Sequence, residues 1–101
     1  NFKHMDKIAR FCKAKRIHLV VVAIPADDQL IYPDTRMNYQ EKIKNYCLKK
    51  KLDFIDLLED LQKIGKKNIY FDTEPHFNPV GHRMVAEILW EKTQSHFRHS
   101  D

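Results

Sequence analysis

An α/β fold is the prediction for this chain of 101 residues. Residues 17–24 are β-branched and nearly without polar interruption, and the segment stops at Pro25. A strand that is apolar on both faces is typical of a central strand in a parallel sheet, covered by helices on either side. Segments with apolar residues at helical spacing stand before and after it. The sequence therefore predicts three layers, with a parallel sheet between helices.

Two helices are predicted in the first half from apolar side chains at helical spacing. The first ends in the basic run at Arg16, and its apolar face is formed by Phe2, Met5, Ile8, Ala9 and Cys12. The second follows the first strand, and either Asp34 or Thr35 caps it, because both side chains can accept a backbone N–H. Its apolar face is formed by Tyr39, Ile43, Tyr46 and Cys47, with Leu48 as a further candidate. Each helix therefore has one face that a sheet can cover.

The segment after the second helix predicts a short strand and a short helix. Residues 52–57 form the strand, and Asp56 near its end is placed to cap the helix that follows. That helix closes at Gly65 in the left-handed conformation that glycine adopts readily. Residues 68–71 are either a brief strand or an extended lead into the next loop. The predicted order is helix, strand, helix, strand, helix, helix.

The last helix has the clearest start signal in the sequence. Asn78 is the predicted N-cap, and Pro79 occupies the first helical position, where its missing N–H costs nothing. Apolar side chains then recur at helical spacing, at Val80, Met84, Val85, Ile88 and Leu89. The last helix therefore begins at Pro79.

A candidate general base precedes this helix. His76 lies two residues before the cap, in a loop that Pro75 keeps extended. A histidine held beside a rigid helix suits general acid–base catalysis. Asp72 and Glu74 lie just upstream, and a carboxylate that accepts the ring N–H would fix the tautomer and stabilise the imidazolium. The candidate catalytic residues are therefore His76, Asp72 and Glu74.

The segment that runs from Asp72 through His76-Phe-Asn-Pro-Val-Gly-His82 resembles the C-terminal block of SGNH hydrolases, also called GDSL esterases. It is especially similar to bacterial members that handle O-acetyl groups on cell-envelope polysaccharides. The resemblance implies that His76 is the general base of a serine–histidine–acid triad. Thr73 stands where the commonest family pattern has its aspartate, so the residues leave both Asp72 and Glu74 open as the acid.

The resemblance also implies a fold and an activity. The fold is a three-layer, flavodoxin-like parallel sheet, with residues 1–101 as a single domain or as the C-terminal part of an SGNH domain whose N-terminal, nucleophile-bearing half is absent. The activity is that of an esterase, lipase-like hydrolase or acyltransferase on small-molecule or polysaccharide esters, without a cofactor. The only serines are Ser95 and Ser100, and neither has the glycine-lined turn that presents a nucleophile, so these residues alone are expected to be inactive.

Composition limits the other classes of function. The formal net charge of +4 is spread over predicted helix faces and helix ends, which argues against a nucleic-acid partner. No apolar run has the length of a membrane span, and no signal peptide is visible; a cell-envelope location is implied by the resemblance alone. Two scattered cysteines indicate neither a zinc site nor a disulfide framework.

Two alternatives to catalysis are kept open. The first is a non-catalytic α/β module that binds a partner, or a degenerate SGNH relative, and the unusual spacing between His76 and its acids favours it. The second is a metal site formed by His76, Glu74 and His82, although these positions lack a recognisable zinc-ligand spacing. The metal site requires the side chains of His76, Glu74 and His82 to lie together, and the partner-binding module does not.

Overall fold

The computed structural model describes residues 2–31 and 39–97. Its elements in chain order are α1 (Lys3–Ala14), β1 (Val20–Ala23), α2 (Asp27–Ile31), α3 (Tyr39–Lys50), β2 (Asp53–Asp56), α4 (Leu58–Ile64), α5 (Lys66–Ile69) and α6 (Pro79–Phe97). β1 and β2 pair in parallel, with Val20 opposite Asp53 and Ala23 opposite Asp56. The described chain is therefore mostly helical, around a two-stranded parallel sheet.

The predicted three-layer, flavodoxin-like sheet is wrong for this chain. β1 and β2 are the only paired strands in residues 2–31 and 39–97. Residues 68–71 do not add a strand, because Phe71 N–H donates to the His76 carbonyl and Asn78 N–H donates to the Ile69 carbonyl. These backbone groups bond to the returning chain and so cannot enter a ladder with β2.

Alternate side chains of β1 enter two separate apolar cores. Val20 and Val22 pack on one face against a core formed by Ile55, Leu57, Leu61, Ile69, Tyr70 and Val85. Val21 packs on the other face with Tyr46 and Cys47 of α3. Phe2, which precedes α1, and Met5 in α1 pack against this cluster. The alternation of side chains along a strand produces this division. Apolar residues on both faces of β1 therefore indicate that both faces are covered, and they do not indicate how many strands the sheet contains.

α1 and α3 end with the same backbone turn. Arg16 and Lys51 follow the two helices with φ angles of 57° and 60°, in the left-handed region. The next N–H in each case returns to a cysteine carbonyl inside the helix, which satisfies an end carbonyl. These two hydrogen bonds, both 2.8 Å long, join Ile17 to Cys12 and Leu52 to Cys47. One residue separates the second turn from β2, and three residues separate the first turn from β1.

Several predicted element boundaries are confirmed. α6 begins at Pro79, and the Asp56 carboxylate accepts the Leu58 N–H at 2.9 Å, as expected for a cap. Gly65 has a positive φ of 92°, but its ψ of 141° is extended, so the left-handed helical conformation predicted for it is wrong. The Asp34 and Thr35 cap positions lie outside the described residues.

Two further features of the described ranges concern α2 and the length of the helices. α2 begins at Asp27, two residues after the proline that ends the predicted first strand. None of the helices in those ranges is both long and apolar enough to cross a membrane.

Candidate functional site

The loop that carries His76 is closed by its own backbone. Phe71 N–H donates to the His76 carbonyl at 3.0 Å, and Tyr70 and Phe77 form an isolated antiparallel bridge just outside this bond. The Tyr70 and Phe77 rings pack with their centroids 4.7 Å apart. Residues 71–76 are therefore a short loop whose two ends are fixed by backbone pairing and by an aromatic contact.

Asn78 joins this loop to α6 and to the preceding helix. Its side-chain oxygen accepts the Gly81 N–H at 2.7 Å, which confirms the predicted N-cap. Its side-chain amide donates to the Asn68 carbonyl at 3.2 Å, and its backbone N–H donates to the Ile69 carbonyl at 2.8 Å. One residue therefore caps α6 and ties its start to α5, two positions after His76.

Tyr70 places the start of the loop beside the carboxyl end of β1. Its hydroxyl donates to the Pro25 carbonyl at 3.3 Å, in a buried contact. Burial is the main cause that raises the pKa of Tyr70, with smaller contributions from the charges of Asp27 and Tyr39. The phenol therefore keeps its proton and its donor role. The start of the His76 loop is therefore held at the carboxyl end of β1.

A buried polar cluster fixes the chain where β1 ends. The Gln29 side-chain oxygen accepts from the Ala26 N–H at 2.9 Å, from the Tyr39 hydroxyl at 2.9 Å and from the Gln40 amide at 2.8 Å. Gln29 and Gln40 are only 2% and 7% exposed, and buried amides of this kind need such partners. The single proton of the Tyr39 hydroxyl is shared between the Gln29 oxygen and the Ile24 carbonyl oxygen, which lies 2.7 Å from the hydroxyl oxygen. These contacts fix the backbone conformation of the segment after β1.

Sequence reasoning did not identify the buried pair of Gln29 and Gln40. The available signal was spacing: Gln40 shares the apolar face of α3 with Ile43 and Cys47, and a polar residue in that stripe needs a buried partner. Asp27 in α2 forms an ion pair with Lys66 at 3.2 Å. Its carboxylate therefore links α2 to α5.

No protein-family model matches the chain, and no curated protein or solved structure matches it. The resemblance to SGNH hydrolases therefore rests on the residues of the His76 loop and the start of α6.

The structure brings His76, Asp72 and Glu74 into one loop but does not join them. All three side chains are exposed. Within the part of the chain that the structure describes, none of the three has a side-chain hydrogen bond or ion pair. The imidazole is therefore accessible to a reactant, and neither carboxylate is hydrogen-bonded to it.

His82 has a different environment from His76. His82 is exposed in the first turn of α6. Its ring packs edge-to-face with the Phe77 ring, and the two centroids are 5.7 Å apart. The described residues contain no group of three or more His, Cys, Asp or Glu side chains that could hold a metal ion. The alternative metal set of His76, Glu74 and His82 is therefore not formed.

Proposed function

We propose that this chain supplies the general base, and the acid that orients it, to an SGNH-type serine esterase or acyltransferase. The observation that carries the proposal is an exposed imidazole, His76, on a loop with both ends fixed. Catalytic groups need accessibility together with a defined position. The defined position comes from the bridge between Tyr70 and Phe77 and from the Asn78 cap.

The proposed reaction needs a serine from outside these 101 residues. His76 would accept the proton of the serine hydroxyl while the serine oxygen attacks the ester carbonyl. The protonated imidazole would then give its proton to the leaving alcohol, which leaves an acyl-enzyme. In the second half-reaction His76 would take a proton from water or a sugar hydroxyl as that oxygen attacks the acyl carbonyl. It would then give this proton to the serine oxygen as the acyl group leaves. This sequence balances without a metal or an organic cofactor.

The acid in this proposal is Asp72 or Glu74. Both lie in the loop closed by the hydrogen bond between Phe71 and His76, within four residues of the imidazole along the chain. Because both carboxylates are exposed in the unbound chain, one would form its bond to the imidazole only when the serine-bearing part of the protein packs over the loop. Catalytic hydrogen bonds are often long or absent before substrate binds.

The substrate class in the proposal is an ester or an O-acyl group, on a small molecule or on a polysaccharide. An exposed loop suits a large acceptor such as a polymer, because the imidazole is not enclosed in a pocket of the described residues. A separate segment that carries the serine would complete the site and determine which acyl group fits.

The test is labelling of the intact protein with a serine-reactive fluorophosphonate, followed by intact-mass measurement. A single adduct is expected in the parent and in His82→Ala, and none in His76→Ala, because base and nucleophile act as a unit. His82 is the matched control, since it is also an exposed histidine near the cap. An adduct of equal yield in His76→Ala would contradict the proposal, as would no adduct in folded parent protein.

A non-catalytic partner-binding module is the second candidate. Three large side chains on different helices favour it, because Phe11, Leu48 and Trp90 are 58%, 68% and 66% exposed. Exposed apolar side chains mark an interaction surface where they lie together in one patch. Failure of the labelling test in folded protein, together with weaker self-association or partner capture by Trp90→Ser, would favour this candidate.

A further inference from the structure

A cleft of about 550 Å³ lies at the amino end of the sheet, away from the His76 loop. Its walls are the second half of α1, the end of α3 and the residues that lead into β1 and β2. A volume of this size is within the range that small-molecule sites occupy. The His76 loop is tied to the opposite end of β1 through Tyr70 and Pro25. The two regions are therefore separate.

The cleft carries an excess of positive charge. Its lining includes four cationic side chains, Arg10, Lys13, Lys50 and Lys51, against two carboxylates, Asp6 and Asp53.

Both carboxylates are already engaged. Asp6 accepts the Tyr46 hydroxyl and lies 3.9 Å from the Lys50 ammonium. Asp53 pairs with His18. The formal excess is two positive charges even when His18 is counted as neutral, so an anion in the cleft would be attracted.

The dipoles of α1 and α3 favour cations at these helix ends, but the end carbonyls do not need the lysines as hydrogen-bond donors. Lysines near a helix C-terminus often bond the last carbonyls, but here backbone N–H groups of Ile17 and Leu52 already satisfy carbonyls at the ends of α1 and α3. Lys13 and Lys51 form no side-chain hydrogen bond or ion pair with any residue that the structure describes. Their ammonium groups are therefore available to a ligand.

The cleft also has an apolar lining. Ala9, Cys12, Ile17, Leu19 and Leu52 contribute to it, and Ile17 is 51% exposed, which is high for so large an aliphatic side chain. A ligand with an apolar body would cover this surface and gain by its removal from water. Charge and apolar area together define the chemistry of the ligand.

We infer that this cleft binds a small amphiphilic anion, with a carboxylate or phosphate head near Lys13 and Lys51 and an apolar body against Ile17 and Leu52. The head would replace water around the two ammonium groups, and each ion pair would add modestly to the affinity. The inference does not depend on the proposed catalytic function.

The experiment is a fluorescence titration with anilinonaphthalene sulfonate, an aromatic anion, on the intact protein. Saturable binding is expected, with displacement by octanoate or octyl phosphate but not by octanol at the same concentration. The relative potency of octanoate and octyl phosphate would show which head the cleft prefers. Lys13→Gln combined with Lys51→Gln should weaken binding about tenfold.

The matched control combines Lys63→Gln with Lys67→Gln, which removes the same charge from exposed positions on α4 and α5. This control should bind the dye like the parent, and both double variants should retain the parent's unfolding midpoint. If both double variants bound the dye equally weakly, the loss of affinity would be due to net charge and not to the cleft. That result would overturn the inference. Displacement by octanol as strong as by octanoate, or binding that does not saturate, would also overturn it.

Discussion

Gly81 in the first turn of α6 lies against the carbonyl of Ile69 at the end of α5. A Cβ atom built on Gly81 would be only 2.1 Å from the Ile69 oxygen and 3.0 Å from its carbon. Ile69 is fully buried, and its carbonyl also accepts the Asn78 N–H. The backbone of α6 therefore approaches α5 as closely as it does because residue 81 has no side chain.

Gly81→Ala is expected to lower the free energy of unfolding by about 1–3 kcal/mol, because the added methyl group must displace backbone and not a flexible side chain. Helix propensity alone predicts the opposite sign, a gain of about 1 kcal/mol. Urea denaturation of the parent and the variant measures the difference. Ala86→Gly, at an exposed position of the same helix, should cost about 1 kcal/mol. A stabilised Gly81→Ala protein would contradict the close contact.

The start of α6 was predictable because its signals are local. The Asn-Pro pair and the later glycine act within one turn, and the observed cap uses those residues. The sheet was less predictable, because the apolar character of β1 is the same whether its neighbours are strands or helices. Whether residues 68–71 join the sheet depends on the hydrogen bonds from Phe71 N–H to the His76 carbonyl and from Asn78 N–H to the Ile69 carbonyl. No local sequence pattern specifies that pairing.

The left-handed residues at the helix ends give a second prediction. Arg16 and Lys51 have φ angles of 57° and 60°, where a side chain costs about 1–2 kcal/mol and glycine does not. Arg16→Gly and Lys51→Gly should each raise the unfolding free energy by about 0.5–1 kcal/mol, after the larger entropy loss of glycine is subtracted. Chemical denaturation checks both variants.

The control for these substitutions is Lys49→Gly, in the last turn of α3. There the backbone is helical, so glycine should cost about 1 kcal/mol. If Lys51→Gly destabilised the protein as much as Lys49→Gly, the left-handed turn after α3 would be refuted.

Tyr46 gives a prediction about alkaline pH. The hydrogen bond to Asp6 is the main cause that raises the pKa of Tyr46 from 10.0 to about 12, with smaller contributions from burial and nearby charges. Because the folded state holds the proton more tightly, this contribution to stability is complete below pH 10.0 and is lost as the pH rises towards 12. Asp6→Asn should move the pKa back towards 10.0.

NMR titration of ring-labelled tyrosine measures this pKa directly. Glu41→Gln is the control, since it removes an exposed carboxylate from the same helix and should leave the Tyr46 titration unchanged. The same shift in both variants would assign the effect to general charge and not to the Asp6 hydrogen bond.

The sequence predicted that the candidate catalytic side chains lie in one loop, but it did not predict their hydrogen bonding. Spacing alone placed His76, Asp72 and Glu74 near one another, and the structure has all three exposed in one closed loop. Their bonding was not predictable, because exposed side chains on a loop take their partners from whatever packs over them. The buried Gln29 and Gln40 pair shows the converse, since packing within the chain fixes it.

The last prediction concerns which acid acts with His76 under the proposed function. Asp72→Asn and Glu74→Gln in the intact protein should differ in ester turnover, because only one carboxylate can accept the ring N–H and stabilise the imidazolium. The true partner should lose about a hundredfold or more in kcat, and the other variant should stay within a few fold of the parent. Both side chains are exposed and lack hydrogen bonds within the described residues, so neither change should alter the unfolding midpoint. Equal unfolding midpoints are the control for folding. Trivial losses of turnover in both variants would refute a triad built on this loop, and the role of His76 would then be tested by itself.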